Sequence, residues 1–119
     1  MMEVEKDLGL KKLDHFFGGT ENYYKFHMGT VITDGVKYVC DNGYYWFVSD
    51  AVIAIKTKRL DKKSWFLVAR LKLEDGKVKM VIDDGNGNVL HTQSYEFTDA
   101  KRELKLFFAD NVVMLSTEY

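Results

Sequence analysis

From Leu67 the chain reads LVARLKLEDGKVKMVID, and its apolar residues recur at every second position. Leu67, Ala69, Leu71 and Leu73 alternate with Val68, Arg70 and Lys72. Beyond Asp75-Gly76, Val78, Met80 and Ile82 alternate with Lys77, Lys79 and Val81. A period of two puts one set of side chains on a single face, which predicts half-buried antiparallel strands. The pattern continues through VLHTQSYEF and, after FTDAKRE, through LKLFF and VVMLS around Ala109-Asp110-Asn111. The region from Trp65 to Ser116 thus predicts a meander of about four or five strands.

Two segments change period. In Leu8 to Phe17, Leu10, Leu13 and Phe17 form one stripe, and Gly18-Gly19 supplies a C-cap, so an amphipathic helix is predicted there. YYWFVSDAVIAIKTKRL is apolar on more than one face. It predicts a mostly buried helix over Tyr45 to Lys58, closed by Lys56, Lys58 and Arg59, whose charges suit the C-terminal end of the dipole. Two short strands broken at Ser49-Asp50 fit the same residues (44–56). The chain has no proline, so turns fall to glycine. Asp34-Gly35, Asp75-Gly76, Asp84-Gly85 and Asn42-Gly43 each read as tight turns of the hairpin type. The expected architecture is α+β: an antiparallel sheet of about five to seven strands with a C-terminal meander, and an N-terminal and a central helix packed on one face.

Composition fits one domain. The chain has 119 residues, 46% of them apolar and 14% aromatic. A domain of that size buries roughly two-thirds of the surface its unfolded chain exposes. Residues 1–7 are charge-rich and expected to be flexible. The formal net charge of −1 argues against a wholly basic nucleic-acid binder and against an acidic DNA mimic. One cysteine, Cys40, excludes an internal disulfide framework. The absence of a signal-like core or of the ~18–20 apolar residues a membrane span needs leads to the expectation of a cytoplasmic protein, off the membrane.

Candidate chemistry is sparse. IDDGNGNVL (Ile82 to Leu90) has the oxygen-rich look of a calcium loop. An EF-hand needs glycine at its sixth position and glutamate at its twelfth. Starting at Asp84, those positions are Val89 and Tyr95; starting at Asp83, they are Asn88 and Ser94. Both registers fail, no Gly-Lys-Ser/Thr follows for a phosphate loop, and a hairpin turn remains. His15, His27 and His91 share no metal-ligand spacing. His15 reads as a packed or surface residue, and His91 shares strand parity with Tyr95 and Phe97 and leans toward the core. Cys40 is a nucleophile only with a neighbouring base. The expectation is a non-enzyme with no metal and no cofactor.

Two stretches suit recognition. FFGGTENYYKF gathers Phe16, Phe17, Tyr23, Tyr24 and Phe26, aromatic types enriched at protein interfaces. KTKRLDKK carries Lys56, Lys58, Arg59, Lys62 and Lys63 against Asp61 alone. It reads either as a solvated helix end or as a contact for a phosphate backbone. An exposed edge strand such as the last, Val112 to Ser116, offers a route to a homodimer.

LDHFFGGTENYYKF, TDGVKYVCDNGYYWF and the ending DDGNGNVL…YEFTD…LKLFFADNVVMLSTEY together resemble a family of small bacterial and phage proteins known only as a domain of unknown function. The likeness runs from Leu10 to Tyr119; the second glycine of FFGGT departs from its spacing. It transfers no catalytic residue. It implies a single domain carried on mobile elements or prophages, and small phage-encoded domains without catalytic motifs often act by binding and blocking host machinery. Expected partners are a host protein or ribonucleoprotein complex, including CRISPR-type defence systems. A nucleic-acid-associated accessory protein working through the basic segment is the alternative.

Overall fold

The computed structural model describes residues 20–96 and 100–119. Seven strands form one sheet: β1 (Tyr23–Lys25), β2 (Val31–Thr33), β3 (Phe66–Glu74), β4 (Lys77–Asp83), β5 (Val89–Tyr95), β6 (Leu104–Ala109) and β7 (Val112–Leu115). Two helices, α1 (Asp34–Val39) and α2 (Tyr45–Thr57), lie between β2 and β3 in the chain. The N-terminal helix expected over Leu8 to Phe17, and the flexible stretch at 1–7, fall outside the described residues. Among the described residues no helix is long and apolar enough to cross a membrane.

The strand order is β1-β2-β7-β6-β3-β4-β5. The expected meander holds for β3-β4-β5, but β6 returns to the other side of β3, pairing Leu67 with Phe108 and Leu71 with Leu104. The alternation in β3 explains this: Leu67, Ala69 and Leu71 are fully buried, so β3 belongs in the middle of the sheet. The sheet is also mixed rather than antiparallel throughout. β2 and β7 run parallel, with Val31 opposite Val112 and Ile32 opposite Val113. β7 is therefore interior, flanked by β2 and β6, and cannot be the dimer edge read from the sequence; among the described strands the edges are β1 and β5.

The turn chemistry divides the four glycine pairs. Asp75-Gly76 joins β3 to β4 with φ of +50° and +74°, the positive pair a two-residue hairpin needs. Asp110-Asn111 joins β6 to β7 in the same way, at +51° and +61°. Asp84-Gly85 opens the β4–β5 loop. Asp34-Gly35 and Asn42-Gly43, however, turn no hairpin. Asp34 begins α1 behind the N-cap Thr33, whose Oγ1 accepts the Val36 N–H. Gly43, at φ +100°, breaks the path between α1 and α2.

α2 settles the ambiguity at Tyr45 to Lys58 as a helix ending at Thr57, with Lys58 as its cap. Phe47, Val48, Ala51, Val52, Ala54 and Ile55 all face the sheet and are buried. Each large side chain so buried contributes about 2 kcal/mol. They meet Leu67, Leu71, Met80, Ile82 and Leu106 in one core, on the sheet face that α1 and α2 cover.

Candidate interaction surface

The aromatic segment is divided by the alternation of β1. Tyr23 and Lys25 are exposed, while Tyr24 turns toward α1. Its hydroxyl donates to Asp34 Oδ1 at 3.0 Å, and the Lys37 amine lies 5.8 Å from its ring centre. Asp34 Oδ2 accepts the backbone N–H groups of Glu21 and Asn22 at 3.1 and 3.2 Å. Partial burial opposes the Asp34 charge, but hydrogen bonds from Tyr24, Thr20 and these two amides outweigh it and hold the carboxyl below its ordinary range. Tyr24 is thus a fastening of the fold. Phe26 instead joins α2: its ring lies 4.2 Å from the His27 ring and meets Tyr45 edge-on at 5.7 Å. Phe16 and Phe17 lie outside the described residues.

Around Phe26 the structure assembles a surface that the sequence did not reveal. Tyr45, Ser49 and Ile53 are spaced by four and share the outer face of α2. The turn His27–Gly29 packs alongside, with His27 Nε2 at 3.0 Å from Ser49 Oγ and 2.9 Å from the Tyr45 hydroxyl. Thr30 closes this turn, its hydroxyl and N–H both donating to the His27 carbonyl. Met28 sits in left-handed backbone at φ +55°. That conformation costs a non-glycine residue about 1 kcal/mol. Met28 (53% exposed), Tyr45 (49%) and Ile53 (42%) leave a large share of apolar surface in water. Ile53 lies within the apolar run of α2, and the phase of the helix points it out.

The Ser49–His27 contact has the reach of a nucleophile and its base. Its nitrogen is shared with Tyr45, however, and among the described residues no carboxylate orients the other ring nitrogen. Cys40 is a poor nucleophile. Burial, and then the Asp41 charge, push its thiol up to about 12, so the thiolate is scarce at neutral pH.

The basic segment is also divided. Lys56 is occupied: its amine lies 3.0 Å from Asp61 Oδ2 and donates to Asn111 Oδ1 at 2.6 Å. Lys58, Arg59, Lys62 and Lys63 are exposed and make no ion pair among the described residues. Arg59, at φ +56°, takes the left-handed position that ends α2, and Leu60 anchors the following turn in the core. Trp65 is 74% exposed beside them. It lines a shallow depression of about 380 Å³ with Lys62, Asp61 and the Phe108–Asn111 turn.

The remaining polar clusters serve the fold. Asp84 Oδ1 accepts the N–H groups of Asn86 and Asn88 at 2.8 and 3.2 Å, and Oδ2 accepts Asn88 Nδ2 at 2.7 Å. That carboxylate is spent inside its own loop, which is the hairpin expected of DDGNGN. His91 does lean toward the helix face of the sheet, with Nε2 3.2 Å from Gln93 Oε1. Among the described residues no three His, Cys, Asp or Glu side chains gather to hold a metal.

Two of the motifs that carry the family likeness, TDGVKY and STEY, form a single device. The buried Glu118 carboxylate accepts the Thr33 hydroxyl at 2.6 Å and the N–H groups of Gly35 and Leu115 at 3.0 and 2.9 Å. A Cβ on Gly35 would stand 2.5 Å from Leu115 Cδ1 and 2.7 Å from Glu118 Oε1. Only glycine admits this approach. Neither the curated proteins nor the solved structures include one that matches this chain. A family model does match, over residues 8–119, and so takes in both halves of the clasp: the chain belongs to the family of unknown function DUF6876.

Proposed function

We propose that the protein is a non-enzymatic binding module of mobile-element origin, which engages a host protein or ribonucleoprotein complex, with CRISPR-type defence complexes as the first class to test. The observation that supports this reading is the face formed by Met28, Tyr45 and Ile53 around His27. Aromatic and methionine side chains are the types enriched at protein interfaces. Met28 is moreover held outward in a backbone conformation that disfavours it. The test is a pull-down from a bacterial host lysate with the wild-type chain and a Met28→Asp/Ile53→Asp variant. A specific partner retained by the wild type and lost by the equally folded variant is expected. Recovery of the same proteins by both, or of none by either, would sink the reading. Protection of a targeted phage or plasmid from a CRISPR-type system on expression of the chain would extend it to defence.

A second reading has its own observation. Trp65 stands exposed and shares a depression with Lys62, and Lys58, Arg59 and Lys63 are exposed within seven residues of it in the chain; an aromatic platform with cations close along the chain suits single-stranded nucleic acid. Four phosphate contacts would give a slope of about −3 in log K against log salt on a single strand. A flat salt dependence, or no binding at low salt, would end it.

A further inference from the structure

The two edges of the sheet are unlike. β1 is three residues long and carries the exposed Lys25, features that blunt an edge. β5 is seven residues long, VLHTQSY, without Asp, Glu, Lys, Arg or proline. A register break opposite Ile82 and Asp83 marks its start, leaving His91 to Tyr95 in regular pairing with β4. Every residue of β5 is partly or fully exposed, whereas β4 beside it has five buried residues. Val89 is 59% exposed. Along the outer side of β5, alternate N–H and C=O groups have no strand partner among the described residues. On the helix side, the Asp50 carboxylate is taken up by β5 itself, accepting from the Tyr95 hydroxyl at 2.8 Å and from Gln93 Nε2 at 3.4 Å. Among the described residues the edge is thus long, free of Asp, Glu, Lys and Arg, and uncovered.

We propose that β5 pairs antiparallel with β5 of a second copy of this chain, giving a two-fold dimer with one continuous sheet. Pairing about the middle of His91 to Tyr95 sets Thr, Ser, Gln, His and Tyr against the same set. No opposed pair includes Asp, Glu, Lys or Arg and most can hydrogen-bond, so the strand is its own complement. The blunt β1 edge stops further addition, which closes the assembly at two copies. The two Thr92 side chains, exposed and opposite Val81 within each copy, come to lie facing or one step diagonal across the axis.

The test is sedimentation equilibrium of the full chain over a concentration series, for wild type, Thr92→Lys and Thr92→Glu. The wild type is expected to show a monomer–dimer equilibrium. Each single variant should weaken dimerisation by about fivefold or more through like charges across the axis, and an equimolar mixture of the two should restore it. Circular dichroism and thermal melts at high dilution check that the variants fold. A wild type that stays monomeric throughout, a dimer indifferent to either charge, or growth into open-ended oligomers would each overturn the assignment.

Discussion

The two ends of β2 answer opposite demands. At its C-terminal end, Thr33, Gly35, Leu115 and the buried Glu118 satisfy one another, with glycine at the one place where a side chain would collide. At its N-terminal end, the His27–Gly29 turn holds Met28 in left-handed backbone and leaves its side chain in water. One end is arranged for stability and the other against it. The comparison teaches that TDGVKY and STEY mark the clasp, whereas His27, Met28 and Ile53, which complete the surface with the features of a binding site, lie outside the segments that carry the family likeness.

The largest effect should come from breaking the clasp. Glu118→Ala leaves the Thr33 hydroxyl and two backbone N–H groups buried without an acceptor. A loss of about 3 kcal/mol is expected, since each such bond to a charged group is worth about 1.5–3 kcal/mol and the site relaxes in part. That corresponds to a fall of on the order of 10 °C in Tm by calorimetry. A shift of a degree or two would mean the carboxylate is replaceable by water, and the contrast between the two ends of β2 would fail. Gly35→Ala should follow at about 1–2 kcal/mol of destabilisation. Its sign is the informative part, because glycine to alanine inside a helix ordinarily stabilises by about 1 kcal/mol. Leu115 and Glu118 could yield as side chains, but both are buried and Glu118 is fixed by three bonds. A more stable variant would show that they do yield.

A smaller effect concerns acid. The folded Asp34 carboxyl is held below its ordinary value of 3.8, so folding favours its charged form. The stability this adds is fully present above that ordinary value and is lost as pH falls through the lower, folded one. Asp34→Asn should therefore flatten part of the acid limb of a plot of Tm against pH while lowering Tm near neutrality. An acid limb as steep as that of the wild type would assign the acid sensitivity to other carboxylates.

Sequence made the sheet legible because period-two alternation with Asp-Gly punctuation has few other readings. It could not order the strands. Nothing local in VVMLS says that β7 will lie parallel to β2, since that pairing depends on where α1 and α2 return the chain. Asp34-Gly35 misled for a related reason: the dipeptide suits a hairpin, but the residue that fixes its conformation is Glu118, far along the chain. Of the candidate residues among those described, Tyr24 and Lys56 proved to be tied into the fold, and Phe26 joins the α2 face. Met28 and Trp65 carried no periodic signal, and Ile53 matched the apolar pattern of a buried helix. The four-residue spacing of Tyr45, Ser49 and Ile53 was available to be read, but it needed the buried face of the helix to give it direction.

The sharpest use of the comparison is a substitution that separates folding from binding at Met28. Met28→Gly removes an exposed side chain and relieves a left-handed conformation that costs about 1–2 kcal/mol, while the added freedom of the unfolded chain takes back about 0.4–1 kcal/mol. A small net gain is expected, about 0.5 kcal/mol, visible as a rise of a few degrees in Tm. Partner capture should fall in the same variant, because the turn loses its outward apolar contact with α2 left intact. Stability rising as binding falls is the signature of a residue kept for recognition at the expense of the fold. If Tm drops instead, the Met28 side chain supports the turn, and its exposure owes nothing to a partner.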